Sequence, residues 1–465
     1  MGSFTAFPTG LVGMLQTNFL EREMEEGLDS ILAYRREAVR ETVNARIGET
    51  LTRTRKGRKI PVQTALAAVY GYAGGLDNNL VSSMWSVEQY QFTMSSYADT
   101  IDVDLIEELA GIADQLIAAS RNNGVQAAQS LERISRLKLF GAYLGGNTIC
   151  RADLTASTTT TARVNDIRGF QNVLVNGQIT PVSASNTLTV QEVATAAGGQ
   201  NQTLTVTGVT ADGTNASMNP DGISGTLTFN AATAPVTGDA LLAVNAPKIF
   251  RPFSKLGTNN LNASDVFTLG LVEDVVAYLR DNAVPPMPDG TYHCILDNTS
   301  LRQLYADQDF KVLFAGREAT TEYRDGDIIR LLGVTYIPTT EAYIQQPNTV
   351  WSTGAAVSAP GTAGVTVRVR RPIVMGAESI IQGDFEGLDI WLNRTGISPI
   401  GEVMLMNGVA QVIRPPLDRL QKTVSLTWTW IGDFAIPSDL TATTSIVPTA
   451  SNALYKRIAV IETAG

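Results

Sequence analysis

Hydrophobic and polar positions change period several times along the chain, and each change predicts a new element. The first forty-odd residues read as an arm: an irregular start, then modest helical periodicity over "NFLEREMEEGLDSILAYRREAVRETV". In "GETLTRTRKGRKIP", Thr50, Thr52 and Thr54 alternate with Leu51, Arg53 and Arg55. That period of two predicts a strand, with "KG" at 56–57 as its turn. Both faces of this strand are polar, so it is expected to project rather than join a core. A second extended run, "WSVEQYQFTMSSYADTIDVD", follows the Gly- and Asn-rich "GYAGGLDNN", and the two runs together predict a long two-stranded arm. An isolated hairpin is marginally stable, so such an arm is expected to lie on another subunit.

From Asp102 the period becomes helical. Val103, Ile106, Ala110, Ala113 and Ile117 form one stripe, and Asp104 with Glu107 resembles a capping-box start. "RNNG" at 121–124 predicts a break or bend, with a second helix running on to Gly145. Between Arg168 and Lys248 Thr, Val, Asn, Ala and Gly dominate, with no Lys or Arg. There "NTLTVQEV", "QTLTVTGV" and "GTLTFN" alternate at period two, which predicts a small antiparallel β module spliced into a host domain. Helix returns at "SDVFTLGLVEDVVAYLRDNAVPP": Phe267, Leu271, Val275 and Leu279 recur at i+4, with Ser264 as N-cap and Pro285–Pro286 as the stop. A strand "GTYHCILD", a short helix "NTSLRQLYADQDF" and "GDIIRLLGVTYIPT" follow. The last hundred residues read as strands, one of which places Val424, Leu426, Trp428 and Trp430 on a single face.

Composition narrows the class. A chain of 465 residues with 44% apolar and 17% charged side chains describes a globular protein of two to four domains, not a disordered one. The net charge of −10 argues against a surface that tracks a phosphate backbone. Cys150 and Cys294 fall in dissimilar segments and read as buried thiols in a reducing compartment rather than a disulfide framework. No secretory signal, myristoylation site or membrane-spanning run is expected.

Candidate chemistry is sparse. The single histidine, His293, adjoins Cys294, but neighbours on a strand point to opposite faces, so a nucleophile–base dyad is rejected. No zinc spacing, EF-hand or phosphate loop occurs, so no metal and no cofactor is expected. "GYAGG" at 71–75 and "YLGG" at 143–146 read as bends, and acidic pairs such as Asp102/Asp104 and Asp325/Asp327 as solvated faces and caps. The cationic cluster Arg53, Arg55, Lys56, Arg58 and Lys59 remains, without the aromatics or reading helix of a nucleic-acid site. Acidic residues match it elsewhere: Asp99, Asp102, Asp104, Glu107 and Glu108, taken here as lying on a helix, and Glu21, Glu23, Glu25 and Glu26. Docking of the cationic arm on a neighbouring subunit's acidic helix is the favoured reading, ahead of plain solvation and of nucleic acid.

The order of these segments resembles the major capsid (coat) protein of tailed double-stranded DNA bacteriophages, most closely the podovirus-type branch. The residues that carry the resemblance are "SDVFTLGLVEDVVAYLRDNAVPPMPDGTYHCILDNTSLRQLYADQDFKVLF", "GDIIRLLGVTYIPT", "RRPIVMGAESI" and "PLDRLQKTVSLTWTWIGDFAI", spanning roughly 40–160 and 262–465. The resemblance implies an α+β tailed-phage major capsid fold. It assigns 1–46 to an N-terminal arm, 47–100 to an extended loop and 101–164 to a peripheral domain with a long spine helix. An inserted antiparallel β domain at 165–250, an axial domain at 251–364 and return strands of the peripheral domain at 365–465 complete it. The implied activity is structural, not enzymatic: self-assembly into hexamers and pentamers of an icosahedral shell around the DNA genome. Scaffolding protein, portal and decoration proteins are the implied partners, with assembly in the bacterial host cytoplasm and a final place in the virion. A secreted β-rich adhesin or carbohydrate-binding protein, and a hydrolase with paired carboxylates, are the alternatives.

Overall fold

A computed structural model describes residues 17–29, 33–43, 50–56, 62, 87–104, 115–150, 160–175, 178–194, 201–211, 223–230, 235, 238–315, 330–345, 367–386, 402–414, 419–420, 422–439 and 453–465. These fall into two units. The first takes its residues from 1–53, 91–139 and 380–436, the second from 54–90, 140–379 and 437–465.

In the first unit, β1 (Val39–Val43), β4 (Ser95–Asp104), β20 (Ile381–Phe385), β21 (Glu402–Met406), β22 (Val409–Arg414) and β23 (Thr423–Ala435) form one sheet. β23 is its hub: β4 pairs along one edge from Thr423 to Gly432, and β22 and then β20 pair along the other. The alternation read from the sequence holds there, with Val424, Leu426, Trp428 and Trp430 all buried and the Thr and Ser between them half-exposed. β1 adds in parallel to β20, so residues 39–43, expected in a free arm, are part of this sheet.

Two helices belong to this region, α1 (Thr17–Asp29) and α2 (Gln115–Tyr143). The expected helical start at Asp102 is corrected: Asp102 and Asp104 end β4, because ten consecutive residues pair with β23, and 105–114 lie outside the described residues. The expected break at "RNNG" is also absent, and α2 runs through it. Asn123 is buried and donates its side-chain amide to the Leu426 carbonyl (3.0 Å), while Gly124 lies where a Cβ would stand 2.4 Å from the Met24 carbonyl oxygen. Gly27 reciprocates, its Cβ position being 2.6 Å from the Arg121 carbonyl. Residues that read as helix breakers therefore let α1 and α2 cross with their backbones in contact. Further along α2, the fully buried Glu132 carboxylate accepts the N–H groups of Ala33, Tyr34 and Arg35 at 2.8–3.0 Å, fixing the turn before β1.

β2 (Thr50–Lys56) and β3 (Val87–Thr93) form a separate two-stranded ribbon. The second run expected in the arm thus splits: Val87–Thr93 pairs with the basic strand, whereas Ser95–Asp104 joins the first-unit sheet.

The second unit begins with a β barrel. β5 (Asn147–Ile149), β6 (Thr161–Val164), β9 (Leu188–Val193), β10 (Gln202–Ala211), β11 (Gly225–Phe229) and β12 (Ala240–Ala243) pair antiparallel in the order β5-β12-β9-β10-β11-β6. A bridge between Cys150 and Val164 joins the two ends, closing the sheet on itself. Its core is the alternating apolar set that includes Leu188, Val190, Leu204, Val206, Leu227 and Phe229, and a hairpin of β7 (Asn172–Val175) and β8 (Gln178–Pro181) accompanies it. The barrel draws in Asn147–Ile149 and Thr161–Val164, placed ahead of the insertion by the sequence reading, because β5 and β6 supply its closing edges.

A mixed six-stranded sheet follows, in the order β13-β24-β19-β14-β16-β15: Ile249–Phe250, Ile458–Ile461, Ile373–Met375, Tyr292–Leu296, Val334–Pro338 and Arg330–Leu331. Helix α3 (Leu269–Asp281) packs Leu271, Val272, Val275 and Leu279 into a core shared with Cys294, Leu296, Val334 and Ile461. Ser264 does not cap it. Ser264 is tied to Asn262, and the Leu269 N–H is met instead by the Asp307 carboxylate at 2.8 Å. α4 (Asn298–Ala306) is capped by Asp297, which accepts from Thr299 and Ser300, and α5 (Gln308–Ala315) follows. A small sheet of β17 (Ile344–Gln345), β18 (Val369–Arg370) and β25 (Thr463–Ala464) completes the unit. Residues 367–379 and 453–465 lie in this unit, and β20–β23 in the first.

Candidate assembly surfaces

Arg53 and Arg55 stand on β2 two residues apart, as the period of two requires. In the first unit, Arg53 donates to the Thr42 carbonyl (3.2 Å) and lies 3.8 Å from Glu41, with its side chain 42% exposed. In the second unit, Arg55 is mostly covered and pairs with Glu378 at 3.1 Å. Glu378 also meets Arg457 (3.3 Å), which reaches Asp439 at 3.6 Å and donates to the Ala377 carbonyl at 2.6 Å. Arg55 is thus one end of an ion network inside its own chain, while the Arg53–Glu41 pair is long and half-solvated. Lys56 closes the strand, and Arg58 and Lys59 lie outside the described residues.

The proposed acidic counterpart is altered more. Asp99, Asp102 and Asp104 lie on strand β4, not on a helix, and each has a partner at home. Asp99 accepts from Gln126 and from the Thr100 N–H, bonds that lower its carboxyl pKa. Asp102 accepts from Ser425, and Asp104 pairs with Lys422 at 2.8 Å. Glu107 and Glu108 lie outside the described residues.

A denser charged cluster sits in the second unit. Glu462, 1% exposed, takes Arg251 on one oxygen (2.7 Å) and Arg371 on the other (2.9 Å), and the Thr258 hydroxyl adds a bond at 2.7 Å. Burial works to raise its pKa, but the two guanidiniums and the hydroxyl overcome it and hold the carboxyl down at about 2. Arg251 also donates to the Leu256 carbonyl at 2.7 Å and to Thr258 at 3.3 Å, and Arg371 stacks over Tyr343. These groups floor a cleft walled by Ile149, Leu242, Ile249 and Leu256. The partners come from segments far apart in sequence, so no local motif announces them.

His293 and Cys294, adjacent in sequence, part company in the fold. His293 faces Asp289 across 3.1 Å, whereas Cys294 points into the core. Slight burial opposes ionisation of Asp289, but bonds from the Thr291 hydroxyl and N–H and from His293 hold its carboxyl well below the usual range. Both cysteines are free and buried, and burial pushes their thiols up. Gly146 takes φ +81° just beyond α2, so "YLGG" is a bend. Residues 71–75, Asp325 and Asp327 lie outside the described residues. Among the described residues no group of His, Cys, Asp and Glu is arranged to hold a metal ion, and no helix is long and apolar enough to cross a membrane.

No protein-family model matches the sequence, and no curated protein matches it. Among solved structures, the chain is similar to the capsid of Ralstonia phage GP4, with a TM-score of 0.48 and 9% identity over 92% of this chain and 87% of that one. It is also similar to the capsid of cyanophage P-SCSP1u (TM-score 0.45, 9% identity, 92% and 86% covered). The capsid of cyanophage Pam1 is a third (TM-score 0.44, 10% identity, 94% and 95% covered). All three are phage capsids.

Proposed function

We propose that this chain is the structural subunit of a tailed-phage head, assembling into hexamers and pentamers of an icosahedral shell around double-stranded DNA. The observation that supports this best is local and sequential. The stretch that resembles tailed-phage major capsid proteins contains helix α3, the proline stop, strand β14, a short helix α4 ending at Asp307 and the β15–β16 turn, in the order the resemblance implies, with α5 as a second short helix where one was expected. A second support is the ribbon β2–β3, which pairs with no further strand among the described residues and carries cations on an acidic chain. Its service is to a neighbouring subunit. The role is architectural and not enzymatic. Scaffolding protein, portal and decoration proteins are the partners this role requires, the host cytoplasm is where assembly takes place, and DNA is enclosed without sequence-specific contacts.

Electron microscopy of the purified chain, alone and with its scaffolding protein, tests the reading. Closed shells or rings of five and six subunits are expected. A chain that stays monomeric under both conditions overturns it.

A further inference from the structure

Three Asn–Gly steps occur in the chain, Asn123–Gly124, Asn176–Gly177 and Asn407–Gly408. Residues 176–177 lie outside the described residues, and the fold treats the other two in opposite ways. Asn123 is buried within α2, where helical backbone holds the following N–H and the side-chain amide is spent on the Leu426 carbonyl. Asn407 is exposed at the tip of the β21–β22 hairpin, between the paired Met406 and Val409. It and Gly408 both adopt positive φ (50° and 82°), the backbone of a two-residue type I′ turn.

Two neighbours bear on the chemistry of this turn. Arg35, 1% exposed, donates Nη2 to the Asn407 carbonyl at 2.7 Å, while its Nε is fixed by Gln382 at 3.1 Å. That carbonyl belongs to the peptide unit whose nitrogen is that of Gly408. A guanidinium on the oxygen stabilises negative charge on the peptide unit, so it favours loss of the N–H proton and makes the nitrogen a better nucleophile. On the other side, the Asp384 carboxylate stands 3.1 Å from where a Cβ of residue 408 would sit, so that with positive φ the position suits glycine alone. Glycine leaves its nitrogen the least hindered of any residue.

We propose that Asn407 is a self-modifying site, which the folded turn converts to aspartate and isoaspartate without an enzyme. The Gly408 nitrogen loses its proton to water and attacks Asn407 Cγ. The new N–Cγ bond closes a succinimide ring as the Cγ–Nδ2 bond breaks, and Nδ2 leaves as ammonia with a proton returned from water. Water then adds to one of the two ring carbonyls. Opening at Cγ gives aspartate; opening at the main-chain carbonyl, the one that Arg35 polarises, gives isoaspartate. Either product puts a carboxylate next to the residue that abuts Asp384, and isoaspartate also lengthens the backbone between two paired strands. The modification therefore loosens the β21 edge of the first-unit sheet with time. It belongs to the chain itself and does not depend on assembly.

Peptide mapping by mass spectrometry tests this on the full chain, held folded in mildly alkaline buffer or unfolded in urea at the same pH. Labelling with an isoaspartyl methyltransferase counts the isoaspartate. In the folded chain the Asn407 peptide is expected to gain the mass of amide-to-acid conversion at least as fast as in urea, with isoaspartate the main product. Asn123 is expected to stay intact until the chain is unfolded. A folded-state rate at Asn407 below the rate in urea overturns the proposal, because the turn then protects the amide. So does equal loss at Asn123 and Asn407 in the folded chain. As a second arm, Arg35→Lys, checked for a wild-type melting temperature, is expected to slow the folded-state reaction several-fold and lower the isoaspartate share. An unchanged rate and share count against the proposal. Should that variant lose its fold, the comparison of folded and unfolded wild-type chain decides alone.

Discussion

Glu462 sits buried between two guanidiniums, where an uncompensated charge is expensive. Its carboxyl is ordinary near 4.5 when exposed and about 2 here. Because the folded value is the lower one, its contribution to stability is complete above about pH 4.5 and is lost as pH falls toward about 2. Glu462→Gln leaves Arg251 and Arg371 without a counter-charge and is expected to cost about 3–5 kcal/mol at neutral pH. It also flattens the acid limb of the stability curve. Urea unfolding at about pH 7 and about pH 3 checks both effects; an acid loss equal to that of the wild type would show that the carboxylate is not the titrating group. No periodicity predicts this residue. "RIAVIETAG" reads only as a strand, and the partners lie some 90 and 210 positions away (|i−j| = 91 and 211).

At the scale of elements, the two helices that cross at Gly27 and Gly124 show how a local rule misleads. Glycine and two asparagines in "RNNG" oppose helix, at about 1 kcal/mol for glycine relative to alanine. Tertiary contact wins, because one asparagine reaches a strand carbonyl and the glycine admits another backbone. Gly124→Ala is therefore expected to destabilise by about 1–3 kcal/mol despite its better helix propensity. Gly270→Ala, in α3 with nothing within 4 Å of the added carbon, is expected to stabilise by a few tenths to about 1 kcal/mol. Thermal melts of the two variants should move in opposite directions; the same direction for both would refute the crossing. Elements with a strong internal period were legible in the sequence: β23, the barrel strands, α3 and β14. Boundaries set by long-range pairing were not, as at Asp102–Asp104, where β23 captures residues of helical pattern. Likewise α3 takes its cap from Asp307, and no neighbouring residue foretells that.

For the whole molecule, the order of segments was legible and the partners of charged groups were not. Arg53 and Arg55 look equivalent in "LTRTRKGRKI", yet one is half-solvated and the other is locked to Glu378. The two should behave differently. Arg53→Glu is expected to leave the melting temperature unchanged and to reduce shell yield, whereas Arg55→Glu lowers both. Full yield with Arg53→Glu removes the ribbon from the list of subunit contacts. The threading of the chain has a further consequence, in time rather than space. The strands of the barrel all fall between Asn147 and Ala243 and can pair as soon as that part of the sequence leaves the ribosome. The first unit cannot, since β1 waits for β20 and β4 for β23, strands made long after them. Such long-range pairings are slow to close. Nascent chains that stop short of β23 therefore lack a finished first unit, a form of quality control that topology supplies without any dedicated checkpoint.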